Sequence, residues 1–169
     1  MIFVTVGGQM PFDRLIQAVD EWAAAHPGHE VFGQIADAAY RPRSFPAVER
    51  LSSQEFRARI EAARIVVSHA GMGTILTALE AGKPLLVLPR LGRLAETRND
   101  HQVATARWFA EAGLLSVAAD EHDLPAQLDR MQEQAVAPRI GRAASAELLG
   151  RLQGFLRGEA APGRRDVAA

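Results

Sequence analysis

The stretch Ser68–Pro84, SHAGMGTILTALEAGKP, places three glycines, a histidine and two threonines directly after an apolar run. It reads either as an anion cradle or as a strand-turn-helix packed too tightly for side chains. The cradle has a physical basis. A helix opening near Gly73 leaves its first N–H groups unpaired at the positive end of the helix dipole. Gly71 and Gly73 let a phosphate approach the backbone. Thr74 adds a hydroxyl, and His69 an N–H at the mouth. At 100° per residue Gly73, Thr77 and Glu80 share one stripe, with Ile75 and Leu79 opposite. A second cluster, NDHQ at 99–102, opens another helix. His101 and Gln102 carry donors and acceptors suited to sugar hydroxyls. The plainer alternative is a polar first turn capped by Asn99.

Other chemistries lose their motifs. A P-loop needs a Lys-Ser/Thr pair, but Gly82-Lys83 is followed by Pro84. A dinucleotide fingerprint needs a third glycine where Leu76 stands, and no acid near position 91 is placed to hold a ribose. There is no D-x-D, H-E-x-x-H or G-x-S-x-G, so neither a metal site nor a hydrolase is indicated. No cofactor is expected.

The elements that position these clusters follow from periodicity. IFVTV (Ile2–Val6) is a β-branched strand, and a helix with Pro11 in its first turn runs to Pro27-Gly28. EVFGQIAD and AVERLS are strand candidates around a loop at 38–47. Ser52 or Ser53 caps a helix to about Ala63, with Glu55 or Glu61 facing solvent. RIVVSH and PLLVLP are strands, RLGRLAETR a polar loop, NDHQVATARWFAEAG a helix, and LLSVA a strand. Two helices follow, at roughly Asp123–Gln134 and Pro138–Arg157. This alternation predicts an α/β class: a Rossmann-like parallel sheet with helices on both faces. Ligands bind such sheets at the strands' carboxyl ends, here the loops 7–10, 68–74 and 89–101. Trp22 and Trp108 are expected as core or half-buried helix anchors, and His26 and His29 as solvated turn residues.

The 169 residues suit one domain over 1–157, with a disordered tail at 158–169. A formal net charge of −1 provides no basic field for nucleic acid, and the absence of cysteine excludes disulfides. MIFVTVGGQM lacks a basic n-region and reads as a strand rather than a signal peptide. A cytoplasmic chain is expected.

Three ordered segments, IFVTVGGQMPFDRLIQAVDEW, VVSHAGMGTILTALEAGKPLLVLPR and RNDHQVATA, resemble the family-28-type C-terminal domain of GT-B glycosyltransferases. The chain is similar to the soluble subunit of two-component bacterial exopolysaccharide glycosyltransferases. It also resembles the small subunit of the eukaryotic N-glycan GlcNAc transferase. The resemblance covers most of residues 1–115. It implies an inverting, metal-independent transferase that takes a UDP-sugar donor, with glucuronic acid as the best guess. The acceptor is a lipid-linked glycan, bound by a separate membrane-associated subunit that holds this chain peripherally at the inner membrane face. That partner supplies the base. A nucleotide-sugar-binding module without transferase activity is the alternative. Carried over, His69, Gly71, Gly73 and Thr74 face the diphosphate, with His69 stabilising the leaving group. His101 and Gln102 face the sugar, and Gly7 and Gly8 lie under the donor. The family's acidic ribose contact falls on Thr77, and Glu80 is the candidate replacement. Met72 covers the base or touches the partner. Of Arg90, Arg93 and Arg98, one pairs with a donor carboxylate or all lie in a solvated loop. Asn99 completes the set.

Overall fold

In a computed structural model, residues 1–134 and 137–141 are described. Six parallel strands form one sheet in the order β3-β2-β1-β4-β5-β6. They are β1 (Ile2–Thr5), β2 (Val31–Gln34), β3 (Ala47–Val48), β4 (Ile65–His69), β5 (Leu85–Leu88) and β6 (Ser116–Val117). The order reverses between β1 and β4, the switch point at which doubly wound sheets bind ligands.

Strand alternation sorts the core into two layers. Ile2, Val4, Ile65, Val67, Leu86 and Leu88 face α1 (Asp13–Ala25) and α5 (Leu124–Gln134), packing with Leu15, Ile16, Val19, Leu124 and Leu128. Phe3, Val66, Leu85 and Val87 face α2 (Ser53–Ala62), α3 (Met72–Glu80) and α4 (His101–Glu111), packing with Ile60, Ile75, Leu79 and Phe109. Helices therefore cover both faces, as the alternation predicts. None of the described helices is long and apolar enough to cross a membrane.

Several local readings change. Ser52 caps α2 and Glu55 is exposed, both as expected, but Glu55 also closes a capping box with Ser52. The 38–47 loop is organised by buried Asp20, which accepts hydrogen bonds from the Tyr40 hydroxyl and from the Arg43 and Ser44 amides. Trp22 is buried and donates to Asp129 at 2.7 Å. His26 is not a free turn residue, because its ring stacks on Trp22. Trp108 is 62% exposed, and so anchors nothing in the core. The chain is irregular from Pro138 to Gly141, so no helix begins at Pro138. The rest of that expected helix and the tail at 158–169 lie outside the described residues.

Candidate functional site

The loops after β1, β4 and β5 meet over the switch point. They enclose an open cavity of about 810 Å³, lined by Gly7, Gly8, His69, Gly71, Gly73, Thr74, Arg90, Asn99, His101 and Gln102 among others. The three loops come together because parallel strands all end on the same edge of the sheet.

β4 delivers His69 and then breaks at Gly71, the N-cap of α3, which has no side-chain cap. The amides of Met72, Gly73 and Thr74 thus open the helix without intrahelical partners. A Cβ on Gly73 or Gly8 would meet nothing within 4 Å, so the backbone at both is open to a ligand. Gly71 and Gly7 do something else. A Cβ on Gly71 would collide with the His69 ring, and one on Gly7 would stand 2.8 Å from Cε1 of the same ring. These two glycines house an imidazole. Gly71 still lines the cavity, so its missing side chain makes room for the ring within the cavity wall.

Burial, and after it the Arg90 guanidinium, push the His69 pKa down to about 4, with the Thr5 backbone opposing the shift. The ring is neutral at pH 7, and its Nδ1 is buried without a hydrogen-bond partner. Neutral imidazole can still donate one N–H.

Arg90 is 4% exposed, which corrects the solvated-loop reading. Its Nη2 donates to the Val6 and Met10 carbonyls at 2.8 and 2.7 Å, and its Nη1 to the Glu96 carbonyl at 3.3 Å. Only Nε lacks a partner. Arg90 therefore braces the β1 loop against the β5 loop and places a buried positive charge at the cavity wall. Arg98 is exposed at the cavity and makes no ion pair among the described residues, so it is the arginine free to meet a carboxylate. Arg93 does not line the cavity.

The 3-10 turn Gly92–Leu94 leads to α4, whose N-cap is Asp100 rather than Asn99. Asn99 Oδ1 accepts from the His101 amide at 3.2 Å and faces His101 Nδ1 at 2.6 Å. The backbone N–H identifies that atom as the oxygen. In a neutral ring Nδ1 therefore carries the proton, and Nε2 is left as an acceptor. Gln102 is buried at the cavity wall, and its Oε1 accepts from the Arg90 amide at 3.3 Å.

A second recess of about 380 Å³ shares Gly7, Gly8, Gly73 and Thr74 with the first. It adds Gln34, Leu51, Ser53, Phe56, Arg57 and Thr77. Gln34 donates to the Gly7 carbonyl at 3.0 Å, while its Oε1 is buried without a partner. Sequence reasoning missed this wall, apart from Thr77, because residues 51–57 carry no motif and reach the site only through the β3–α2 crossover. Thr77 lines the recess, but its hydroxyl donates back to the Gly73 carbonyl at 2.7 Å. Glu80 lines neither space. It sits beyond Thr77, in a small recess with Arg57, Ile60 and Glu61. The stripe through Gly73 and Thr77 carries Glu80 past the two larger spaces and into this one. Met72 is 50% exposed and lines neither space.

Among the described residues no Asp or Glu lines the cavity or the recess, whereas His69, Arg90, Arg98 and Arg57 do. Apart from histidine, the ionisable side chains that line the two spaces among the described residues are all arginines. Among the described residues no group of three or more His, Asp or Glu is placed to hold a metal ion.

Residues 1–148 match the glycosyltransferase family 28 C-terminal domain. The chain belongs to that family. The UDP-N-acetylglucosamine transferase subunit ALG13 of Eremothecium gossypii is 40% identical over 77 residues, which span 45% of this chain and 36% of that relative. A solution structure of ALG13 superposes with a TM-score of 0.60 at 22% identity, covering 89% of this chain and 93% of that one. The glycosyltransferase SsfS6 of Streptomyces sp. SF2575, solved with thymidine diphosphate, superposes with a TM-score of 0.57 at 25% identity. That match covers 79% of this chain and 33% of SsfS6. This family 28 domain thus has the α/β fold of the C-terminal domain of GT-B proteins.

Proposed function

We propose that the chain is the donor-binding catalytic subunit of a glycosyltransferase that transfers a hexose or hexuronic acid from a UDP-sugar. One observation carries this reading: an uncapped α3 N-terminus, open at Gly73, faces a cavity that is walled by a buried arginine and has no Asp or Glu among its described lining residues. A diphosphate fits that field. The amides of Gly73 and Thr74, the α3 dipole, neutral His69 and the Arg90 charge stabilise the negative charge that develops on the leaving diphosphate. The sugar lies toward His101, Gln102 and Arg98, and the nucleoside toward the recess at Leu51 and Phe56. The names of ALG13 as a UDP-N-acetylglucosamine transferase subunit and of SsfS6 bound to thymidine diphosphate support a nucleoside-diphosphate donor.

The acceptor is a lipid-linked glycan presented by a membrane-associated partner subunit, which holds this chain peripherally at the cytoplasmic membrane face. That partner also supplies the base for an inverting transfer, in keeping with the absence of a carboxylate from the described lining residues. Glucuronic acid is the preferred sugar because exposed Arg98 can pair with its carboxylate. Calorimetry with UDP, UDP-glucose, UDP-glucuronate and UDP-N-acetylglucosamine tests both levels. Binding of UDP with any of the sugars supports the donor site, and no binding of any of them refutes it. Equal affinity for UDP-glucose and UDP-glucuronate removes the Arg98 argument alone.

A further inference from the structure

We propose that Arg14 and Glu96 form a clasp that positions the sugar-side wall of the cavity, acting on affinity for the donor sugar and not for the diphosphate. The inference rests on the donor-binding reading above. Neither residue lines the cavity. Arg14, in the first turn of α1, grips both carboxylate oxygens of Glu96, with Nε and Nη2 each at 2.9 Å. Its Nη1 reaches Glu121 at 2.8 Å, and Nη2 also donates to the Pro89 carbonyl at 3.1 Å. The side chains of Arg14 and Glu96 are only 12% and 13% exposed.

Glu96 works on its own loop as well. Its Oε2 accepts from the Leu91 amide at 2.9 Å, and its carbonyl accepts from Arg90 Nη1. One carboxylate thereby ties both ends of the 91–96 segment to α1. The residues that come next, Thr97, Arg98, Asn99 and His101, line the cavity. None of the clasp's hydrogen bonds among the described residues reaches the His69–Thr74 turn. Arg90, which the Glu96 carbonyl touches at 3.3 Å, is held more closely by the Val6 and Met10 carbonyls at 2.8 and 2.7 Å, which the clasp does not include. A two-point arginine–carboxylate pair fixes direction as well as distance. Loosening it should therefore free one wall of the site and leave the other in place.

The test is calorimetry of the wild type, Arg14→Met, Glu96→Gln and Glu121→Gln with UDP and with UDP-glucose, UDP-glucuronate and UDP-N-acetylglucosamine, alongside melting temperatures. Glu96→Gln keeps shape and removes only charge, so it carries the test if Arg14→Met fails to fold. For Arg14→Met and Glu96→Gln the expected result is UDP affinity within about twofold of wild type. The additional affinity for the preferred nucleotide sugar should fall about tenfold, the size of one charge-assisted hydrogen bond. Glu121→Gln, on the more exposed arm, should lose less. Equal losses for UDP and sugar, or unchanged sugar affinity, overturn the clasp. A wild type that binds every nucleotide sugar no tighter than UDP overturns it too, while the diphosphate site stands. A wild type that binds no nucleotide refutes the donor reading, and the clasp with it.

Discussion

Gly71 lacks a side chain because His69 occupies the space, the imidazole lying where a Cβ would be. Gly7, at φ +76°, also closes on the ring. Gly71→Ala should therefore expel the ring without touching the amides of α3. UDP affinity should fall about tenfold, the scale of one lost donor plus a displaced wall. Unchanged affinity in titration calorimetry would mean that the imidazole contributes nothing to the ligand.

Gly73 gives the opposite case, since its missing side chain faces open space. Gly73→Val adds bulk only where a phosphate is expected. The exchange exposes no core, and helix propensity changes by less than about 1 kcal/mol. We expect a folded protein with UDP binding abolished. Normal binding in a folded variant would make the turn purely structural.

His69 ties stability to pH. Its pKa falls from 6.5 in the unfolded chain to about 4 when folded, so between these values the unfolded state binds more protons. Stability should decline as the pH drops through 6.5 and level off below 4, a total on the order of 3 kcal/mol. Above pH 6.5 this group should contribute no slope. Urea unfolding at pH 4.5 and 7 should show a smaller pH difference for His69→Gln than for wild type. Equal differences would contradict the burial argument.

Glu80 and Ser53 divide the α3 stripe from the recess. Glu80→Gln should leave UDP affinity within about twofold, because Glu80 lines neither space. Ser53→Trp places bulk at the recess from an exposed first-turn position of α2. It should weaken UDP about tenfold or more and inorganic diphosphate far less. The reverse ranking would put the nucleoside on the Glu80 side.

Asn99 sets the tautomer of His101 through Oδ1. Asn99→Ala frees the ring to rotate. Affinity for the preferred UDP-sugar should drop about threefold to tenfold, with UDP unaffected. Loss of both would indicate a disturbed α4 start.

Much of this molecule is local in origin. Strand alternation at Ile2–Thr5 and Ile65–His69, the Ser52 cap and the break at Gly71 are set by residues within a turn of one another. They determined a parallel α/β sheet, the three loops on one edge and an anion-seeking helix start. What the tertiary structure alone decided depends on packing across long separations. Sequence cannot show that Gly71 holds a ring while Gly73 is open, because both are simply glycine until His69 is placed. Nor can it show Arg90 buried on the Val6 and Met10 carbonyls, 84 and 80 positions away, or Arg14 closed on Glu96, 82 positions away. Glu80 shares its helical stripe with Thr77, yet only Thr77 reaches the recess, whose wall is completed by the 51–57 segment and not by the last turn of α3. Periodicity fixes which way a side chain points; only the packing of distant segments decides what it points at.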